Sequence, residues 1–174
     1  MGIIHSSKSY DLPYIPDNKP QPSGGKSSEL TDLQIELIHG SWEKVKPNKK
    51  YHGERLFHKL FNVAPHLQEL FPFGSDLTNP MFTTHALNVM NTLDLAVQHL
   101  DKLDILIPKL RELGQMHAAF ELTEVEFQYV GESLIWVLET GLGDDFTPKL
   151  KKAWCDAFAI ITSVMLGAIK DING

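Results

Sequence analysis

The stretch Leu113-Gly-Gln-Met-His117-Ala-Ala-Phe-Glu-Leu122 has the pattern of a helix that delivers one histidine at its end and then turns away. Carbonyl groups in the last turn of a helix lack helical partners, so the carbonyl of Leu113 is the expected hydrogen-bond acceptor for the His117 ring. A lone histidine more often lies on a surface or in a core than binds a ligand. A second histidine, His85, lies in a separate apolar helix, and the pair favours a ligand-binding role.

From Leu30 onward the sequence predicts one helix after another and no strand. Apolar residues recur at spacings of three and four, and prolines, glycines and capping residues mark the boundaries. The sequence therefore predicts an all-α fold. The first predicted helices run from a Thr31–Gln34 capping box to Pro47, through residues 56–61, and over residues 65–70. The next covers residues 80–100, with a buried stripe of Phe82, Ala86, Val89, Leu93, Val97 and Leu100. The last three run from about Pro108 to His117, from a Thr123–Glu126 capping box to Gly141 and Gly143, and from Thr147-Pro148 to the end.

Composition and charge exclude several classes of protein. The chain has 174 residues, enough for one domain with a sizeable core, and a formal net charge of −6, which argues against a nucleic-acid partner. Its single cysteine, Cys155, rules out an internal disulfide framework and fits a reducing compartment, so we expect a cytoplasmic protein. Two lysines, Lys151 and Lys152, lie nearby, but we expect the thiol to be inert.

Residues 1–29 are predicted to be a flexible tail preceding a domain of residues 30–174. The tail contains four prolines and a Ser-Gly run, which leave little to bury. Its start, Met1-Gly2-Ile-Ile-His-Ser6, matches the pattern for N-myristoylation. A chance match in such a segment is about equally expected. A single myristoyl chain anchors only marginally, so the protein would be peripheral to a membrane only if Gly2 were acylated.

The two histidines and the apolar residues around them predict a haem site. Haem iron needs one strong axial nitrogen, and the porphyrin needs a dry slot lined by flat and branched apolar groups. No Cys-x-x-Cys-His run is present, so we expect non-covalently bound haem b. Each apolar candidate taken alone would be an ordinary core residue. The predicted iron ligands are His117 and His85, and the predicted pocket residues are Phe57, Phe71, Phe73, Val89, Leu113, Phe120, Leu122 and Phe127.

Residues 30–170 resemble the globin family, and they are nearer to neuroglobins and globin X than to myoglobin. The family resemblance is carried by Leu56-Phe57-His-Lys-Leu-Phe61, Leu70-Phe71-Pro72, Pro80 through His85 to Val89, Leu113 to His117, and Thr147-Pro148. The nearer resemblance is carried by the spacing from His117 to Phe127, by Val130-Gly-Glu-Ser-Leu134, and by Phe146-Thr-Pro148 before Ala153-Trp154.

The resemblance implies a globin fold of about eight helices around a haem pocket. His117 matches the proximal histidine that binds iron, and His85 matches the distal histidine. Val89 is similar to the branched residue over the iron, Phe71 to the phenylalanine that wedges the haem, and Phe57 to a residue typical of neuroglobin-like chains. An acylated start would be similar to globin X, but Ile3 stands where a cysteine is expected there, which puts stable anchoring in doubt.

The expected function is reversible binding of oxygen and of other diatomic ligands, carbon monoxide and nitric oxide, with His85 on the iron when no ligand is present. Two alternatives remain open. One is a haem redox enzyme that acts on nitric oxide or nitrite with an external reductase, and the other is a membrane-associated redox signalling globin. We expect no enzyme, because no catalytic carboxylate cluster, nucleophile elbow or phosphate loop is present. The remaining histidines of the helical region are expected at the surface, namely His39, His52, His58, His66 and His99.

Overall fold

Six α-helices joined by short turns and four 3-10 helices make up the computed structural model, which describes residues 29–174. No strand occurs among these residues, so the predicted all-α fold is confirmed. The acylation motif and nearly all of the predicted tail lie outside the described residues. The α-helices are α1 Asp32–Val45, α2 Lys49–Val63, α3 Pro80–Gln98, α4 Leu103–His117, α5 Glu124–Leu142 and α6 Pro148–Asn173, and the 3-10 helices are Lys46–Asn48, Pro65–Leu70, Ala118–Phe120 and Gly143–Asp145.

The described residues form six α-helices and four 3-10 helices, where the resemblance implies about eight helices in all. The helix predicted over residues 65–70 is a 3-10 helix, and residues 71–79 form successive turns before α3. Both predicted capping boxes, at Thr31 and Thr123, are present with reciprocal hydrogen bonds. These caps satisfy backbone donors that a helix start otherwise leaves free.

Helix α4 begins at Leu103, five residues before the predicted start at Pro108. A proline inside a helix removes one hydrogen bond and costs about 3 kcal/mol. Leu106 and Leu110 lie on either side of Pro108 and are only 1% and 2% exposed. Burial of each leucine contributes about 1.5–3 kcal/mol, which is enough to offset that cost. The predicted start was wrong because the burial of these leucines outweighs the unfavourable effect of a proline inside a helix.

One residue of the predicted α3 stripe is placed differently. The predicted members other than Val89 are buried, whereas Val89 is half-exposed and Met90 is fully buried. Met90 lies four residues after Ala86 and three before Leu93, which keeps the helical spacing of the buried face. Val89 therefore lies at the edge of the stripe and packs only partly against the core.

A carboxylate buried between α1, α2 and α3 ties these helices together. Asp94 accepts hydrogen bonds from the indole of Trp42 (2.8 Å) and the ammonium of Lys49 (3.1 Å), and Lys46 lies 3.3 Å away. Burial alone raises the pKa of Asp94, but hydrogen bonds from Trp42, Lys49, Gln98 and Lys46 outweigh it and lower the pKa to about 2. The folded state therefore favours the ionised carboxylate.

Replacing Asp94 with asparagine is expected to lower the free energy of unfolding at pH 7 by about 1–3 kcal/mol, because the two lysines lose their charged partner. The folded-state pKa lies below the unfolded value of about 3.9. The stabilisation by Asp94 is therefore complete above about pH 4 and is lost as the pH falls towards 2. Urea unfolding between pH 3 and 7 measures both effects. Asp145→Asn, which removes an exposed ion pair with Lys44, should cost under about 1 kcal/mol, and an equal loss in both variants would contradict the prediction.

The prediction that the remaining histidines are at the surface is wrong for His52. His58 and His66 are exposed and His39 and His99 are half-buried, whereas His52 is 8% exposed. A Cβ atom built on Gly141 of α5 would lie 3.1 Å from Cε1 of His52, so the missing side chain leaves room for the ring. Burial lowers the pKa of His52, and the charge of Arg55 lowers it further.

Between residues 29 and 174, no helix combines the length and the apolar character that crossing a membrane requires.

Candidate haem-binding site

The last residue of α4 is His117, and its ring orientation is set by the helix itself. The predicted hydrogen bond is present, because Nδ1 of His117 lies 2.8 Å from the carbonyl oxygen of Leu113. A carbonyl can only accept, so Nδ1 carries the proton. In the neutral ring, Nε2 then holds a free lone pair, which is the form that binds a metal.

Helix α6 holds the segment around His117 from two sides. A Cβ atom on Gly114 would lie 2.5 Å from the carbonyl oxygen of Met165, so the two helix backbones pack in direct contact there. The side-chain amide of Asn173 donates a hydrogen bond of 3.0 Å to the carbonyl of Ala118, directly after the histidine. The position of His117 therefore depends on α6 as well as on α4.

The second predicted ligand, His85, lies on α3 against two aromatic rings. Its ring centroid is 5.2 Å from that of Phe57 and 5.1 Å from that of Phe71, both in edge-to-face arrangements. Burial lowers the pKa of His85, and the charge of His117 lowers it further. The His85 ring is therefore favoured in its neutral form.

Aromatic side chains form one continuous wall beside His85. Phe71 stacks on Phe73 with ring centroids 5.0 Å apart, and Phe57 meets Phe71 edge-on at 5.9 Å. The sequence interpretation missed two further members, Phe61 and Phe82, whose rings contact Phe57 at 5.7 and 6.3 Å. Both recur at helical spacing, which is also the pattern of ordinary core residues, so spacing alone does not distinguish them.

The remaining predicted pocket residues differ in exposure. Phe127 is buried, whereas Val89, Leu113 and Leu122 are half-buried and pack against the core. Phe120 is 47% exposed, and its ring centroid lies 6.2 Å from that of His117. The structure thus places Phe120 beside the predicted iron ligand and leaves one side of its ring open.

Cys155 lies on α6 and is exposed. The neighbouring side chains still shield its sulfur in part from water, which raises the pKa of the thiol and outweighs the nearby lysines Lys151 and Lys152. A raised pKa disfavours the reactive thiolate, which agrees with the expected inert thiol.

The residues present suit haem better than a bare metal ion. A bare ion needs three or more side-chain ligands, and the described residues contain no such group of His, Cys, Asp or Glu. A porphyrin supplies four nitrogens to its own iron and requires only axial ligands and an apolar slot from the protein. His117 with a free Nε2, a neutral His85 and a phenylalanine wall are side chains of the kinds that such a site uses.

The model of the family described as Globin matches residues 54–165. The chain belongs to the globin family. Among its relatives, neuroglobin-2 of Oncorhynchus mykiss is 38% identical over 144 residues, covering 79% of this chain and 91% of that protein. Neuroglobin of Chaenocephalus aceratus is 37% identical over the same length, with the same coverage of both chains.

A solved structure also resembles this globin. It is described as a hexacoordinated heme protein from an anhydrobiotic tardigrade, crystallised at pH 4, and it superposes with a TM-score of 0.75 at 25% identity. The match covers 81% of this globin and 96% of the tardigrade chain. The predicted globin fold and the resemblance to neuroglobins are therefore confirmed. Globins are typically haem proteins without enzymatic activity, so membership implies haem as the cofactor.

Proposed function

We propose that this globin binds one b-type haem through Nε2 of His117 and reversibly binds oxygen and the other diatomic ligands carbon monoxide and nitric oxide. The observation that carries the proposal is the hydrogen bond from Nδ1 of His117 to the carbonyl of Leu113, which leaves Nε2 free to bind a metal. When bound, haem supplies the iron to which a diatomic ligand attaches. The chain would supply a nitrogen ligand, Nε2 of His117, and apolar side chains around it.

The proposed pocket residues have distinct roles. Phe57 and Phe71 hold the His85 ring between their edges, and Phe73 supports Phe71 by stacking. Such apolar walls keep the imidazole neutral, because burial disfavours its charged form. The other members that we propose to line the slot are Val89, Leu113, Phe120, Leu122 and Phe127.

We further propose that His85 binds the iron when no external ligand is present. Away from the iron, the His85 ring faces Phe57 and Phe71, neither of which can accept its hydrogen bond. Binding the iron would give one ring nitrogen of His85 a partner that these aromatic rings do not supply. The turns before α3, where Gly74 adopts φ +54°, are where we expect the chain to adjust when His85 approaches the iron.

Replacing His85 with leucine is expected to convert the ferrous, ligand-free spectrum from sharp low-spin bands to a broad high-spin band. Removing the competing internal ligand should also speed carbon monoxide binding by about tenfold or more, since the open fraction of sites rises. Absorption spectra and flash photolysis measure the two effects. His99→Leu, at the end of the same helix, is the control and should retain the low-spin bands. A broad high-spin band in the wild type would show that His85 does not bind the iron.

We propose that residues 30–174 form a haem-binding domain that does not need the preceding residues. Leu30 packs partly against the core and Thr31 caps α1, so the folded unit is closed at this end. A chain beginning at Ser28 is therefore expected to fold and to bind carbon monoxide within about twofold of the wild-type rate. Stopped-flow mixing compares the two proteins, and a large loss of binding in the shorter chain would show that the preceding residues belong to the domain.

A further inference from the structure

A cluster of cations and aromatic rings lies on the outer surface where α2 and α5 pack together. This cationic-aromatic cluster consists of Tyr51, Arg55, Lys59, Trp136 and Thr140. The guanidinium carbon of Arg55 lies 4.8 Å from the Trp136 ring centroid and 5.5 Å from that of Tyr51. The ammonium of Lys59 lies 5.5 Å from the same Trp136 ring. Two positive charges are thus held over one indole.

The Arg55 side chain is fixed before any partner arrives. It donates hydrogen bonds of 3.2 Å to the hydroxyls of Tyr51 and Thr140. Thr140 in turn donates to the backbone carbonyl of Trp136, at 2.9 Å. A guanidinium carries five N–H groups, so several donors remain for a further acceptor. A pre-organised arginine loses little conformational entropy when it binds a carboxylate.

The two cations of the cluster form no ion pair within the described part of the chain. Residues 44–59 carry six of the sixteen lysine and arginine residues and one acidic residue, Glu54. Among the ion pairs between residues 29 and 174, Lys44, Lys46 and Lys49 have carboxylate partners, but Arg55 and Lys59 have none. Glu54 faces α3, where it accepts a hydrogen bond of 2.9 Å from Thr83.

Two neighbouring cations repel each other, and a bound carboxylate would remove that repulsion. The charge of Arg55 also affects a buried neighbour. Burial lowers the pKa of His52, and the charge of Arg55 lowers it further. The chain as a whole carries a net charge of −6, so a surface with two unpaired cations, Arg55 and Lys59, differs from its overall acidic character. Their field attracts an acidic surface and disfavours a basic one.

We propose that the cationic-aromatic cluster is a docking surface for an acidic segment of a partner protein, whose carboxylates pair with Arg55 and Lys59 while its apolar atoms cover Trp136 and Tyr51. Trp, Tyr and Arg are the residues most enriched where protein interfaces concentrate their binding energy. Tyr51 is 55% exposed on the surface of two packed helices, which suits a protein surface. A small free anion would instead favour an enclosed site. The proposal does not depend on haem binding.

Titration of the ¹⁵N-labelled full-length protein with a decaglutamate peptide tests this proposal. The protein is reduced and saturated with carbon monoxide, so that any haem iron is diamagnetic. The indole N–H signal of Trp136, assigned with a Trp136→Phe variant, should shift on binding. Trp42 and Trp154 are fully buried and serve as internal references that should not move. Binding should weaken by about tenfold between 50 and 200 mM salt, since exposed charge pairs are screened.

The double variant Arg55→Gln/Lys59→Gln should weaken peptide binding by about tenfold or more. Lys109→Gln/Lys149→Gln removes the same charge from exposed lysines on α4 and α6 and should change binding by less than about twofold. No shift of Trp136 at millimolar peptide, or equal weakening in both double variants, would overturn the proposal. An equal shift with inorganic phosphate would indicate a small-anion site, and a stronger one with phosphatidylserine vesicles would indicate a membrane contact. Either result also overturns it.

Discussion

His117→Gly is expected to release haem at least about a hundredfold faster than the wild type. Loss of a group that merely orients a metal ligand typically costs 10–100-fold in affinity, so loss of the ligand itself should reach at least the top of that range. The variant also loses the hydrogen bond to Leu113 that sets the orientation of the ligand ring. Transfer of haem to an excess of a haem-scavenging apoprotein, followed in the Soret band, measures the rate.

Addition of free imidazole provides the matched control for this variant. Imidazole should enter the space vacated by the His117 ring and restore much of the wild-type haem retention. His66→Gly, which removes an exposed histidine from the 3-10 helix Pro65–Leu70, should leave the rate within about twofold of the wild type. An unchanged Soret band and unchanged haem loss in His117→Gly would show that another residue holds the iron.

Gly114→Ala is expected to destabilise the protein by about 1–3 kcal/mol, although alanine normally favours a helix. The new Cβ atom would lie 2.5 Å from the carbonyl oxygen of Met165 and 3.0 Å from Cβ of Ala168. Because the nearest atom belongs to the α6 backbone, it cannot rotate away, and α4 must move. His117 is one turn further along the same helix, so we also expect faster haem loss. Urea unfolding and haem transfer measure the two consequences.

Gly40→Ala is the matched control for Gly114→Ala. Gly40 lies inside α1, and no atom of the described residues outside that stretch of helix lies within 4 Å of the position that its Cβ atom would take. Alanine there should therefore stabilise the protein by about 0.5–1 kcal/mol. Opposite signs for the two substitutions are the expected result. A similar stabilisation in both variants would show that the contact between α4 and α6 can relax, and that Gly114 does not fix the position of His117.

Several features could be predicted from the sequence because they depend only on residues within about one helical turn of each other. The capping boxes at Thr31 and Thr123 and the hydrogen bond between His117 and Leu113 join residues three or four positions apart. The helical periodicity that predicts the all-α fold is equally local. The two candidate ligands could also be recognised from nearby residues, because His117 ends an apolar helix and His85 lies within another.

Other features were decided only by the tertiary structure, because they depend on how whole helices lie against each other. His52 is buried because Gly141, far along the chain, leaves room for its ring. Asp94 has a pKa of about 2 because α1, α2 and the 3-10 helix between them bring Trp42, Lys49 and Lys46 to it. Helix α4 continues through Pro108 because its neighbours bury the leucines around that residue. Contacts between residues distant in sequence change when helices shift slightly against each other. The spacing of residues within one helix carries no information about such shifts. The sequence by itself therefore determined the helices and the candidate ligands, whereas packing decided which side chains face one another.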